Sequence, residues 1–87
     1  SDSTALGHGA LAVSTGANNT AVGKYALVAN TTGAFNTAVG RNAGLSNTTA
    51  SRNTFVGQSA GTTNTTGYSN VALGDNSLLS NNEYICK

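Results

Sequence analysis

The side chains able to carry chemistry are few and scattered. His8 is the only histidine, Cys86 the only cysteine, and Asp2, Asp75 and Glu83 the only carboxylic acids. General acid–base work needs groups within hydrogen-bond reach of one substrate, and these carboxyls are dispersed. A Cys–His nucleophile needs its base beside the thiol, yet Cys86 and His8 stand at opposite ends of the chain. Gly7-His8-Gly9 lacks the following helix that a phosphate cradle requires. No enzymatic activity, metal site or cofactor is expected. His8 reads as a surface residue. Cys86 has no partner for an intrachain disulfide, so it either pairs between chains or serves as a small hydrophobe.

The elements that would have to position such groups are also unusual. The chain has 87 residues, of which Ala, Gly, Ser, Thr and Asn make up two thirds. Leu, Ile, Val and Phe are too sparse for an isolated globular core of this length. The net charge of +1 is equally far from the charged, disordered class. Four basic residues are few for phosphate binding, so no nucleic-acid partner is expected. No apolar run is long enough to insert into a membrane. The chain contains no Met, and is expected to be a processed chain or a segment excised from a longer one.

An internal repeat resolves the composition. Short runs ending in Gly recur as Ser3-Thr4-Ala5-Leu6-Gly7, Asn19-Thr20-Ala21-Val22-Gly23, Asn36-Thr37-Ala38-Val39-Gly40, Asn53-Thr54-Phe55-Val56-Gly57 and Asn70-Val71-Ala72-Leu73-Gly74. The spacing is 16 residues once and 17 thereafter. A second motif keeps phase with the first at Asn30-Thr31-Thr32-Gly33, Asn47-Thr48-Thr49-Ala50 and Asn64-Thr65-Thr66-Gly67, with Ser14-Thr15-Gly16 as a shortened version. The repeat units are about 3–18, 19–35, 36–52, 53–69 and 70–87, a single repeat domain over 1–87.

Gly, Asn, Thr and Ser are poor helix interiors. The Thr-Ala-Val triplets, bounded by Asn and Gly, read as short strands, and Asn-Thr-Thr-Gly carries turn chemistry. A unit this small buries nothing alone. Stacked copies do, with equivalent residues lying one above another at about 4.8 Å. The expected fold is all-β, a parallel β-solenoid of about five 17-residue coils. The lack of Pro fits, because Pro removes a ladder hydrogen bond.

The columns of such a stack have distinct characters. Leu6, Val22, Val39, Val56 and Leu73 are aliphatic throughout and are expected to form the inward core ladder. Ala5, Ala21, Ala38 and Ala72, with Phe55 as a plug in the same column, lie on the opposite strand face. That small ladder is expected to pack too, against a partner chain. His8, Lys24, Arg41, Gln58 and Asp75 form a polar, solvent-facing ladder.

Asn70-Val71-Ala72-Leu73-Gly74 and its relatives at 19–23 and 36–40 resemble the head repeats of YadA-like trimeric autotransporter adhesins and related phage tail-fibre repeats. The resemblance covers nearly the whole chain. It implies a left-handed β-roll, a homotrimer of chains side by side, and a surface that attaches to a glycan or cell-surface receptor. It also implies an extracellular setting, on a virion tail fibre or a bacterial cell surface. The bacterial heads usually have shorter units, which tilts the likeness toward fibres.

Tyr25, Phe35 and Tyr68 occupy variable columns beside turns, where aromatics either stack on sugars or cover a neighbouring chain. The last unit, with Leu78, Leu79, Tyr84 and Ile85, either begins a cap or reflects repeat drift. Four N-x-S/T sequons, at Asn18, Asn30, Asn47 and Asn64, arise automatically from the repeat. Three functions remain open: a trimeric adhesive or spacer segment, an end-to-end filament, and an ice-binding array of Thr31/Thr32, Thr48/Thr49 and Thr65/Thr66.

Overall fold

The computed structural model describes residues 3–62 and 69–76. It is an all-β parallel solenoid of about four turns, and none of the described residues is helical. Five three-residue strands, β1 (Thr4–Leu6), β2 (Thr20–Val22), β3 (Thr37–Val39), β4 (Thr54–Val56) and β5 (Val71–Leu73), form one sheet in chain order. Each pairs parallel with the next, and like residues face like, as in Ala21 opposite Ala38. The expected fifth coil falls largely on residues outside those described, as do Tyr68, Cys86, Glu83 and the apolar last unit.

Glycine ends each strand for a steric reason. Gly40 has φ +131°, and a Cβ there would sit 2.6 Å from the carbonyl oxygen of Gly57. No side chain fits between coils at that column. The turn that follows is closed by the backbone N–H of the Ala three residues on: Ala26 donates to Gly23 O at 3.1 Å and Ala43 to Gly40 O at 3.1 Å. This explains the recurring Ala, because Ala26, Ala43 and Ala60 point into the coil and are fully buried.

Each full coil turns at three left-handed corners, and most are not glycine. One column holds Gly9, Tyr25, Asn42, Ser59 and Asn76, a second Leu11, Leu27, Gly44 and Gly61, a third Asn18, Phe35, Arg52 and Ser69. Non-glycine residues take this conformation at a cost of about 1–2 kcal/mol each. The coil-to-coil backbone bonds through these corners offset it, for example Phe35 N–H to Ala17 O at 3.1 Å and Asn42 N–H to Lys24 O at 2.9 Å.

The interior inverts the expected orientation of the strands. Ala21, Ala38, Phe55 and Ala72 are fully buried. Leu6, Val39 and Leu73 are exposed, at 66, 37 and 59%, and Val22 and Val56 are only half-buried. The aliphatic column is thus the outer face of the sheet, and the small column is the interior. Ala5 is the exception, exposed on the first coil. The reason is parity with a buried asparagine. Asn19, Asn36, Asn53 and Asn70 are fully buried, and each lies two residues before the inward Ala or Phe, hence on the same strand side.

These asparagines form a ladder with the main chain. Asn36 N–H donates to Asn19 Oδ1, Asn53 N–H to Asn36 Oδ1, and Asn70 N–H to Asn53 Oδ1, each at 3.0 Å. A second buried column, Asn30 and Asn47, stands across from it, with Asn47 Nδ2 donating to Asn30 Oδ1 at 2.9 Å. The two columns converge on one carbonyl per coil. Gly33 O accepts from Asn19 Nδ2 (2.8 Å) and Asn30 Nδ2 (3.0 Å), and Ala50 O accepts from Asn36 Nδ2 (2.9 Å) and Asn47 Nδ2 (3.2 Å). Burial of so many amides is tolerable because hydrogen bonds replace their water.

Phe55 is the plug expected of it. Its ring takes the space that Leu27 fills elsewhere, so Gly44 and Gly61 replace Leu in that corner column. A Cβ at Gly44 would lie 2.8 Å from both Leu27 and Phe55, and one at Gly61 2.4 Å from Phe55.

Candidate binding surfaces

Three surface features arise from this coil. The first is the outer face of the sheet. Strand alternation places Thr4, Thr20, Thr37, Thr54 and Val71 in one outward column and Leu6, Val22, Val39, Val56 and Leu73 in the other. Parallel sheets are ordinarily covered on both sides. Here one side is the Asn- and Ala-lined interior, and the other presents a continuous aliphatic stripe.

The second feature is the corner after each strand. His8, Lys24, Arg41, Gln58 and Asp75 are all exposed, as their polarity leads one to expect. Tyr25 lies next to this ladder, half-buried and left-handed. Its ring meets that of His8 edge to face, with centroids 5.5 Å apart and planes at 72°, and Lys24 Nζ lies 5.2 Å from its centroid.

The third is the corner before each strand. Phe35 is half exposed, and the Arg52 guanidinium covers its ring at 4.9 Å. Tyr25 and Phe35 therefore stand at opposite ends of their strands rather than in one site. Tyr68, expected as a third aromatic contact, lies outside the described residues.

The sequons divide sharply. Asn30 and Asn47 are buried as amide donors, and Asn18 is exposed on a left-handed corner. Asn64 lies outside the described residues. Of the Thr pairs, Thr31, Thr32 and Thr49 are exposed and Thr48 is half-buried. Thr65 and Thr66 lie outside the described residues.

A cavity of about 310 Å³ is lined by Ser3, Ala5, Leu11, Ser14, Thr15 and Gly16. These residues occupy the same columns as the buried Asn19, Ala21, Leu27 and Asn30 of the next coil. The cavity is therefore the uncovered interior of the first coil. Among the described residues, no three His, Cys, Asp or Glu side chains are grouped to hold a metal ion, and no helix is long and apolar enough to cross a membrane.

What sequence reasoning missed here is which strand face lies outward. The signal was the in-phase Asn column. No known family, no curated protein and no solved structure matches this chain.

Proposed function

We propose that the chain is a structural and adhesive fibre segment, a side-by-side homotrimer of left-handed β-rolls acting outside the cell on a fibre or cell surface. The observation that carries this is the aliphatic stripe Leu6–Val22–Val39–Val56–Leu73 on the uncovered face of a parallel sheet. Exposed apolar surface arranged in a continuous patch marks an interaction site. A second copy is the occupant that fits best. It presents the same stripe at the same spacing of about 4.8 Å, so ladder meets ladder at every coil. The corner after each strand then remains outside, where a glycan or receptor is bound. Nothing in this role asks for catalysis.

Light scattering on the purified chain tests the assembly. A mass three times that of one chain is expected, and a stable monomer at micromolar concentration would sink the trimer.

A second reading, end-to-end stacking into a filament, is favoured by the parallel register in which like residues face like from strand to strand. Electron microscopy of concentrated protein separates the two, since only stacking gives rods that lengthen with concentration.

A further inference from the structure

The corner after each strand carries aligned basic side chains. His8, Lys24 and Arg41 occupy successive coils of one exposed column. The backbone locks their register: Tyr25 N–H donates to His8 O at 2.8 Å, Asn42 N–H to Lys24 O at 2.9 Å and Ser59 N–H to Arg41 O at 2.8 Å. The three therefore stand in line at steps of about 4.8 Å. No carboxylate interrupts them in the column, and its acidic member, Asp75, lies two coils beyond Arg41. Like charges at neighbouring ladder positions repel. Such a row is relieved when an anion neutralises it.

An aromatic side chain is built into the same row. The Tyr25 ring lies over Gly9 of the preceding coil, where a Cβ would be 2.8 Å from ring Cδ1. Every other described member of that column has a side chain: Tyr25, Asn42, Ser59 and Asn76. Glycine at position 9 makes room for the ring, which is then flanked by His8 and Lys24.

We infer that His8, Lys24, Arg41 and Tyr25 form a binding site for an acidic polysaccharide, carboxylated or sulfated. The match is geometric and chemical. An extended polysaccharide advances by about one coil spacing per sugar and repeats its anionic groups along its length. A sugar ring offers a C–H face to an aromatic ring, and its acid groups pair with lysine and arginine. Nucleic acid is disfavoured, because the whole chain has only four Lys and Arg, too few for a phosphate-tracking surface. The site deepens the adhesive reading above by naming a ligand class, and it rests on the geometry of one chain rather than on three assembling.

The test is binding of the purified chain to immobilised heparin, hyaluronate and neutral dextran, and to a single-stranded DNA oligonucleotide, at one fixed low salt concentration. Circular dichroism and light scattering are recorded on the same samples. The expected result is binding to heparin or hyaluronate and none to dextran. Joint Lys24→Gln and Arg41→Gln substitution should weaken it about tenfold or more, whereas Arg52→Gln, at the other corner, should change it less than about twofold. Tyr25→Asn, which copies the residue at position 42, should weaken it severalfold with an unchanged spectrum. Failure of both acidic polysaccharides to bind overturns the proposal. So do equal losses from Arg52→Gln and the Lys24/Arg41 pair, or tighter binding of DNA through the same residues. A monomer that still binds through Lys24 and Arg41 removes the trimer and leaves this site standing. A trimer that binds neither acidic polysaccharide removes the site alone.

Discussion

Phe55 occupies the volume that a side chain at Gly61 would need: a Cβ at Gly61 would lie 2.4 Å from the Phe55 ring. In coil 19–35 the same pair of columns holds the reverse arrangement, a small residue on the strand and a large one at the corner: Ala21 and Leu27, both fully buried. The large member changes sides, and the Phe55 ring fills the corners of two coils, at Gly44 and Gly61.

That exchange predicts a compensating pair. Phe55→Ala should destabilise by about 3–5 kcal/mol through the cavity it opens, and Gly61→Leu by at least about 1–3 kcal/mol through overpacking. The double variant restores the Ala21/Leu27 arrangement and should recover much of both losses. Thermal melts of the four proteins measure the coupling, and strict additivity would contradict it.

The asparagine ladder should respond differently to removal and to charge. Asn36→Ala deprives the Asn53 N–H of its acceptor, at a cost of about 1–3 kcal/mol for the stranded donor. Asn36→Asp keeps the acceptor but buries an ionisable group, which raises the folded-state pKa of the introduced carboxyl. Its neutral form is the one the fold accepts. The variant should therefore be most stable below the ordinary carboxylate range and lose stability as pH rises through it. Melting temperature across acid to neutral pH is the readout, and a pH-independent difference from wild type would be the contrary result.

The outer stripe can be tested without touching the core. Val39 is exposed on the single chain, so Val39→Asp should leave its circular dichroism unchanged and reduce the assembled mass to that of one chain. Retention of the trimer mass would place the contact elsewhere.

The corners offer opposite substitutions. Ser59 sits at φ 61°, and Ser59→Gly relieves a strain of about 1–2 kcal/mol, partly offset by the greater unfolded freedom of glycine. A small rise in denaturation midpoint is expected. Gly40→Ala meets the Gly57 carbonyl oxygen at 2.6 Å and should prevent folding or shift the midpoint sharply down.

The sequence makes the period, strand positions and turns legible, because Gly7, Gly23, Gly40, Gly57 and Gly74 return in phase and the triplets before them are short and partly β-branched. Which face of those triplets points inward was not legible from apolarity. Val22 is the more hydrophobic side chain, yet Ala21 lies inside, because the narrow coil is also filled by Asn19 and Leu27. Reading Asn19 as an interior donor rather than only as the boundary of a strand sets the parity. The left-handed corners at Leu27 and Phe35 were hidden for another reason: neither residue type favours positive φ, and the hints are Gly44 and Gly61 in the one column and Asn18 in the other. Of the surface features, the polar ladder from His8 to Asp75 was visible in the repeat. The lean of Tyr25 over Gly9 was not, since it joins two coils.

The Phe55 exchange also bears on how such a chain changes length. A repeat protein grows and shrinks by whole coils, but these coils are not interchangeable. Deleting 53–69 would leave the hollow beside Gly44 without its ring, and deleting 36–52 would bring Leu27 directly against Phe55. Coils 36–52 and 53–69 therefore form one packing unit, the Phe55 ring with the two glycines it covers, and removal of either coil alone disturbs it.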